Sequence, residues 1–339
     1  MCCPGRHLVS HWTEFFAQLH SASAWCSARC KSALIPAGAS MAACAALIVQ
    51  IKVPQELSNR TQLELSGATW STTLQRYILV SDDVNVEGSK HLPLLFTLTE
   101  AGQLDAAPIP IEGIAELNDP ESITAAPDGT LFVATSHSLN KHGHLPQSRR
   151  RLLHLSLSSD RKAHIIGQVD LTSARNADGN AAWADGRLDI EGLAFREGAL
   201  YIGLKSPLAA DGTASILRLP DAISVLNSRV VPQGALSVWA TARFCVPHAG
   251  VTVCEGVADL AFLPDGAMLV AGNSPKGMPT DGGGSLWKFA GPGRTPSLLK
   301  RFDGLKPEGV ALSPDHSSAI VVFDTDGRQP VWIRWPLSP

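Results

Sequence analysis

An excess of either charge is what this 339-residue sequence most plainly lacks, with 28 Lys and Arg against 31 Asp and Glu and a pI near 6.4. Without a basic field there is little to hold a phosphate backbone, so nucleic acid is not an expected partner. Long apolar runs are missing as well. The mildly apolar stretch 33–43 is broken by Pro36 and Gly38 and is shorter than the ~20 residues of a membrane span. Gly-x-Ser-x-Gly, His-Glu-x-x-His and a phosphate-cradling glycine loop are all absent, which removes the common signatures of serine hydrolases, zinc proteases and nucleotide binders.

Cysteine is scarce beyond residue 45. Five of the seven (Cys2, Cys3, Cys26, Cys30, Cys44) fall in the first 45 residues, which lack the alternation seen later. We therefore divide the chain into an extension, 1–45, partly helical or disordered, and a β domain, 46–339. Within the extension, Ser10 ahead of Trp12, Phe15, Phe16 and Leu19 reads as a capped amphipathic helix. The stretch ending at Cys44 faintly resembles a lipoprotein cleavage site, so location is left open between cytoplasmic and exported. Cys26 and Cys30 lack the second pair a zinc site needs. Cys245 and Cys254 flank a hairpin and read first as two small buried strand residues, with a disulfide as the alternative for an exported chain.

What the sequence does contain is a repeat. Stretches beginning at Glu121, Glu191, Ala258 and Glu308 each read as a short apolar strand, a turn such as Pro127-Asp128-Gly129, and a second apolar strand; a more diverged copy begins at Ser66. Copies 50 to 70 residues apart suit four-stranded blades, whose known repeats run ~40 to 50 residues before loops. The expected fold is an all-β propeller of five blades, with six as the alternative. The last copy is short of one strand, and Leu47 to Val53 is expected to close the ring against Val331 to Trp335.

In such a ring the starts of the first strands and the ends of the second strands share one mouth. The first set supplies Asp119 and Glu121, Asp189 and Glu191, Glu255 with Asp259, and Lys306 with Glu308. The second supplies Asp82 and Asp83, Ser136-His137-Ser138, Lys205, Asn273 and Asp324. Carboxylates so crowded need a cation, a lysine or protonation to offset them. Glu121, Asp189, Glu191 and Glu308 are the candidate ligands of Ca²⁺ or another divalent cation, the alternative being that they bond backbone amides. His137 and Asp83 are the candidate acid–base groups, and Asp82, Lys205, Asn273 and Asp324 the candidate substrate contacts. Arg149-Arg150-Arg151 reads as a solvated strand edge.

Leu65-Ser66-Gly67, Val80-Ser81-Asp82-Asp83, Ser136-His137-Ser138, Ile190-Glu191-Gly192-Leu193 with Gly203-Leu204-Lys205-Ser206, and Pro307-Glu308-Gly309 together resemble the bacterial family known as domain of unknown function 3616. That family in turn resembles the phytase-like esterase propellers. The resemblance implies ligand and metal sites at the central mouth. Lys205 stands where an arginine is expected, and Asn273-Ser274-Pro275 matches loosely. Two functions are therefore carried forward. One is a binding mouth for a small molecule or peptide; the other is a metal-dependent hydrolase of phosphoesters, esters or lactones.

Overall fold

The computed structural model describes residues 47–339 apart from 60, 62, 83, 85–89, 182–187, 249, 279, 281, 326–327 and 338–339. The extension, with its helix, lipoprotein-like and zinc readings, lies outside the described residues, as does Asp83. The protein is mostly β. The Leu47–Val53 region supplies β1 (Val49–Gln50), and a single helical turn α1 (Gln55–Ser58) leads into β2 (Glu64–Ser71), β3 (Arg76–Asp82), β4 (Leu94–Leu98) and β5 (Ile109–Glu112). Each following copy of the repeat opens in the same way, as a hairpin joined by a tight turn. The second copy forms β6 (Pro120–Ala125), β7 (Leu131–Thr135), β8 (Leu152–Leu157) and β9 (Ala163–Val169). The third forms β10 (Asp189–Arg196), β11 (Ala199–Ser206), β12 (Ala214–Leu219), helix α2 (Ala222–Ser228) and β13 (Ser237–Ala242).

In the fourth copy β14 (Phe244–His248) precedes β15 (Val251–Phe262), β16 (Met268–Asn273), β17 (Gly284–Phe289) and β18 (Ser297–Phe302). The last has only β19 (Lys306–Leu312), β20 (Ser318–Asp324) and β21 (Val331–Pro336), and β1 pairs with β21 through Val49–Trp332 and Gln50–Val331. Hydrogen bonding gives four sheets, because β5 meets β9 in parallel and joins the first two copies into one eight-stranded sheet. Cys245 stands opposite Cys254 across β14 and β15, with Cα atoms 4.1 Å apart, and their sulfurs are bonded. The reading of two separate small residues is corrected: direct cross-strand register brings the side chains within bonding reach.

The first strands of the hairpins pack side by side, β2 on β6, β6 on β10, β10 on β15, β15 on β19 and β19 on β2. Such close approach needs residues without side chains. A Cβ on Gly67 would sit 2.6 Å from Ser122 Cα, and one on Gly309 2.2 Å from Ser66 O. Apolar side chains from adjacent sheets fill the space between them, as where Leu79, Phe96 and Ile320 share one cluster.

Each of these five strands also carries one extra residue against its hairpin partner: in β2 at Ser66-Gly67, and at Glu121 in β6, Glu191 in β10, Ala258 in β15 and Glu308 in β19. An extra residue of this kind is left out of the ladder and re-aims its side chain. In three of the five strands it is a glutamate, Glu191 and Glu308 being buried and Glu121 half-buried.

Candidate functional site

The three bulge glutamates meet around one lysine. Lys205, at the end of β11, places Nζ 2.7 Å from Glu191 Oε2 and 3.6 Å from Glu308 Oε1, with only 17% of its side chain exposed. Burial alone would lower the ammonium pKa, but Glu191, Glu308 and Glu121 outweigh it and hold the pKa well above the usual lysine value. For Glu191 and Glu308 burial dominates and raises the carboxyl against the pull of Lys205. Glu121 is raised well above its ordinary value by burial first, then by Asp119, Glu191 and Asp82.

A second group forms beside it. Asp82, at the end of β3, brings a carboxylate oxygen together with those of Asp119 and Glu121, all within 4.8 Å of one another. These three acidic groups can hold a metal ion. Their donors are all carboxylate oxygens, the set that suits a hard cation such as Ca²⁺ or Mg²⁺ better than a soft one. The grouping differs from the ligand set expected from sequence, since Glu191 and Glu308 already have a cation in Lys205. Asp189, half-buried, has its carboxyl raised chiefly by desolvation and accepts a hydrogen bond from Ser206 Oγ at 3.2 Å.

Arg149 was expected at a solvated edge and is instead part of the site. Its guanidinium pairs with Asp119, donates to Asn118 Oδ1 at 3.2 Å, and donates to Ser136 Oγ and Ser138 Oγ at 3.1 Å each. Strand direction carries the missed signal. If β7 ends at the mouth, then β8 must begin there, and Arg149 lies three residues ahead of Leu152, where β8 starts.

The remaining expected residues divide. Asn273 is fully buried at the end of β16, donating to Pro307 O at 3.2 Å beside Glu308. Asp324 at the end of β20 lies 3.2 Å from Lys306 Nζ and adds to the field on Glu308. His137 is not brought among these groups. Its ring is fully buried, Nδ1–H donates to Thr135 O at 2.8 Å, and Nε2 accepts from Leu171 N–H at 3.4 Å. Burial lowers its pKa to about 4, and with both nitrogens bonded to backbone it has no lone pair or proton to offer a substrate. The sequence placed His137 at the mouth by chain position; its left-handed backbone, φ 55°, turns the ring toward Leu171.

Among the described residues, the cations acting on Asp119, Glu121, Asp189, Glu191 and Glu308 are Lys205 and Arg149, with Lys306 adding to the field on Glu308. The imbalance is removed either by protons, as the raised carboxyls indicate, or by a bound cation that displaces them.

Residues 63–272 match the family described as phytase-like, with the esterase-like activity of phytase. No curated protein matches the chain. Among solved structures, a gluconolactonase of Xanthomonas campestris is 11% identical, with a TM-score of 0.44 over 87% of this chain and 91% of that one. A glucose dehydrogenase is 13% identical, with a TM-score of 0.46 over 86% of this chain and 100% of the other. A luciferin-regenerating enzyme is 11% identical, with a TM-score of 0.43 over 86% of this chain and 96% of that one.

Proposed function

We propose, from the premise that the chain belongs to the phytase-like family, that it is a metal-dependent hydrolase of an ester or phosphoester, with its site at the carboxylate face. The observation that carries the reading is the Asp82, Asp119 and Glu121 grouping, crowded within 4.8 Å beside a lysine already committed to two other carboxylates. We read the architecture as a five-bladed propeller. The circular packing of β2, β6, β10, β15 and β19 supports five blades, and β1 beside β21 supports closure by the N-terminal strand.

In this reading Asp82, Asp119 and Glu121 hold the divalent cation, and Arg149 fixes the orientation of Asp119. When bound, such an ion polarises the substrate oxygen and makes water a better nucleophile. Lys205, clamped between Glu191 and Glu308, presents a fixed positive charge to the oxygen on which negative charge develops. Asp189 is the group assigned to proton exchange. Its raised carboxyl lies closer to neutrality than an exposed aspartate, and Ser206 orients it.

The test joins metal analysis to a screen of phosphoester, carboxylic ester and lactone substrates. Stoichiometric divalent metal and turnover of one class are expected. Calcium at a hundredfold excess over Kd should stabilise the wild type by about 2.7 kcal/mol, and a chelator should reverse the shift. Glu121→Gln should weaken the metal by roughly tenfold or more because it removes a charged ligand, whereas Glu191→Gln, which removes a partner of Lys205, should leave metal uptake in place. Equal loss in both variants would overturn the proposed ligand set. Metal without turnover of any ester would leave a binding module.

A further inference from the structure

The acidic face adjoins a pocket of opposite charge. A cavity of about 630 Å³, within the range of small-molecule sites, is lined by Lys90, Lys141, Lys276, Arg149, Asn118 and Asn140 among others, and by no Asp or Glu among the described residues. Lys90 follows β3, Lys141 follows β7 and Lys276 follows β16, so three separate loops send a lysine to one place. None of these three makes an ion pair among the described residues. Bringing like charges together costs free energy unless an anion offsets them. Arg149 differs from the lysines in being fixed. With Asp119, Asn118, Ser136 and Ser138 holding its guanidinium, it forms a rigid wall shared by the pocket and the carboxylate group.

We infer that this pocket binds an oxyanion, a phosphate, sulfate or carboxylate group carried by a small molecule, with Lys90, Lys141 and Lys276 as its cationic contacts. Resting on the hydrolase reading, the oxyanion is further the charged end of the substrate, anchored here while its ester bond reaches the carboxylates. An anionic substrate would otherwise be repelled from a face carrying Asp82, Asp119 and Glu121. The lysines offset that repulsion, and Arg149 keeps the two charge fields adjacent.

The test uses the full chain stripped of metal with EDTA, with inorganic phosphate, sulfate and succinate as probes in separate titrations followed by calorimetry or thermal shift. At least one probe should bind, and added sodium chloride should weaken it through screening. Lys141→Ala and Lys276→Ala should each weaken binding about fivefold, and the double variant by more than tenfold. Lys162→Ala, an exposed lysine just before β9, is the control for charge alone and should change nothing. Phosphate and sulfate without succinate would assign a compact tetrahedral anion; succinate alone would assign a carboxylate. Failure of all three probes, or binding indifferent to the double variant, overturns the pocket. Probe binding in a protein that takes up no metal and hydrolyses no ester would sink the hydrolase reading while leaving the pocket standing.

Discussion

Two sets of carboxylates lie on the first strands of the hairpins, and they are satisfied in opposite ways. Asp259, on β15, is fully buried and accepts from backbone N–H groups of Leu260 and Val310 at 2.8 Å, from Leu193 at 3.4 Å, and from Ser122 Oγ at 3.3 Å. Ala68 N–H adds a further bond, so a single carboxylate is tied to the first strands of all five hairpins, β2, β6, β10, β15 and β19. Burial still raises its carboxyl well above the usual range, but every neighbour is a donor. Glu121, Glu191 and Glu308 face one another and share Lys205. A carboxylate surrounded by fixed backbone donors is committed to holding the strands together; carboxylates that mainly face other carboxylates are left needing a cation.

The comparison is most severely tested by removing Asp259. Asp259→Ala would leave backbone donors of several strands and the Ser122 hydroxyl without an acceptor in a site closed to water. We expect a loss of roughly 4 kcal/mol in urea unfolding. Asp259→Asn, keeping one acceptor oxygen, should fall between this and wild type. A cost for Asp259→Ala no larger than that of Glu191→Gln would erase the distinction between hub and mouth.

Lys205→Met tests the other side. It leaves Glu191 and Glu308 facing each other without their cation, and should cost about 3 kcal/mol near pH 8. The sign with pH follows from carboxyls whose folded pKa is raised above the unfolded value, so that ionising them destabilises the fold. Removing the lysine raises them further. The variant should therefore recover stability as pH falls and both groups protonate, and adding Glu191→Gln should restore part of the loss at pH 8. A cost independent of pH would show that Lys205 contributes by packing its stem rather than by charge.

The hairpins could be read from residues because alternation and turns such as Pro264-Asp265-Gly266 are local signals, and the strands Leu94–Leu98, Leu152–Leu157 and Gly284–Phe289 fall where the outer strands were expected. Glu121, Glu191 and Glu308 could be read as convergent because the repeat itself aligns them. Which of them would share a cation could not be read. Taking Asp119 with Glu121, and Asp189 with Glu191, as pairs on one side assumes an unbroken strand, and each strand carries its extra residue at that very place. Asp259 looked like one more mouth carboxylate, since its donors come from strands distant in sequence. Arg149 was hidden by its neighbours Arg150 and Arg151, which make an arginine with a largely enclosed side chain resemble an exposed run.

His137 sharpens the comparison at its boundary, because Ser136 and Ser138 on either side serve Arg149 while its own ring does not. With a folded pKa of about 4 against an ordinary 6.5, the imidazole is neutral in the fold and takes up a proton more readily when unfolded. Its contribution is thus fully present above pH 6.5 and lost as pH falls through 6.5 toward 4. Between pH 7 and pH 5 the loss amounts to about 2 kcal/mol. Asn tolerates the left-handed backbone at this position and does not titrate, so His137→Asn is the informative variant. Urea unfolding of both proteins at the two pH values should give a difference that shrinks by about 2 kcal/mol at pH 5, cancelling the carboxylates common to both. Calcium should raise the melting temperature of the variant as it does that of the wild type. A pH-independent difference, or a variant whose calcium response is abolished, would return His137 to the site and move the boundary between the two regions.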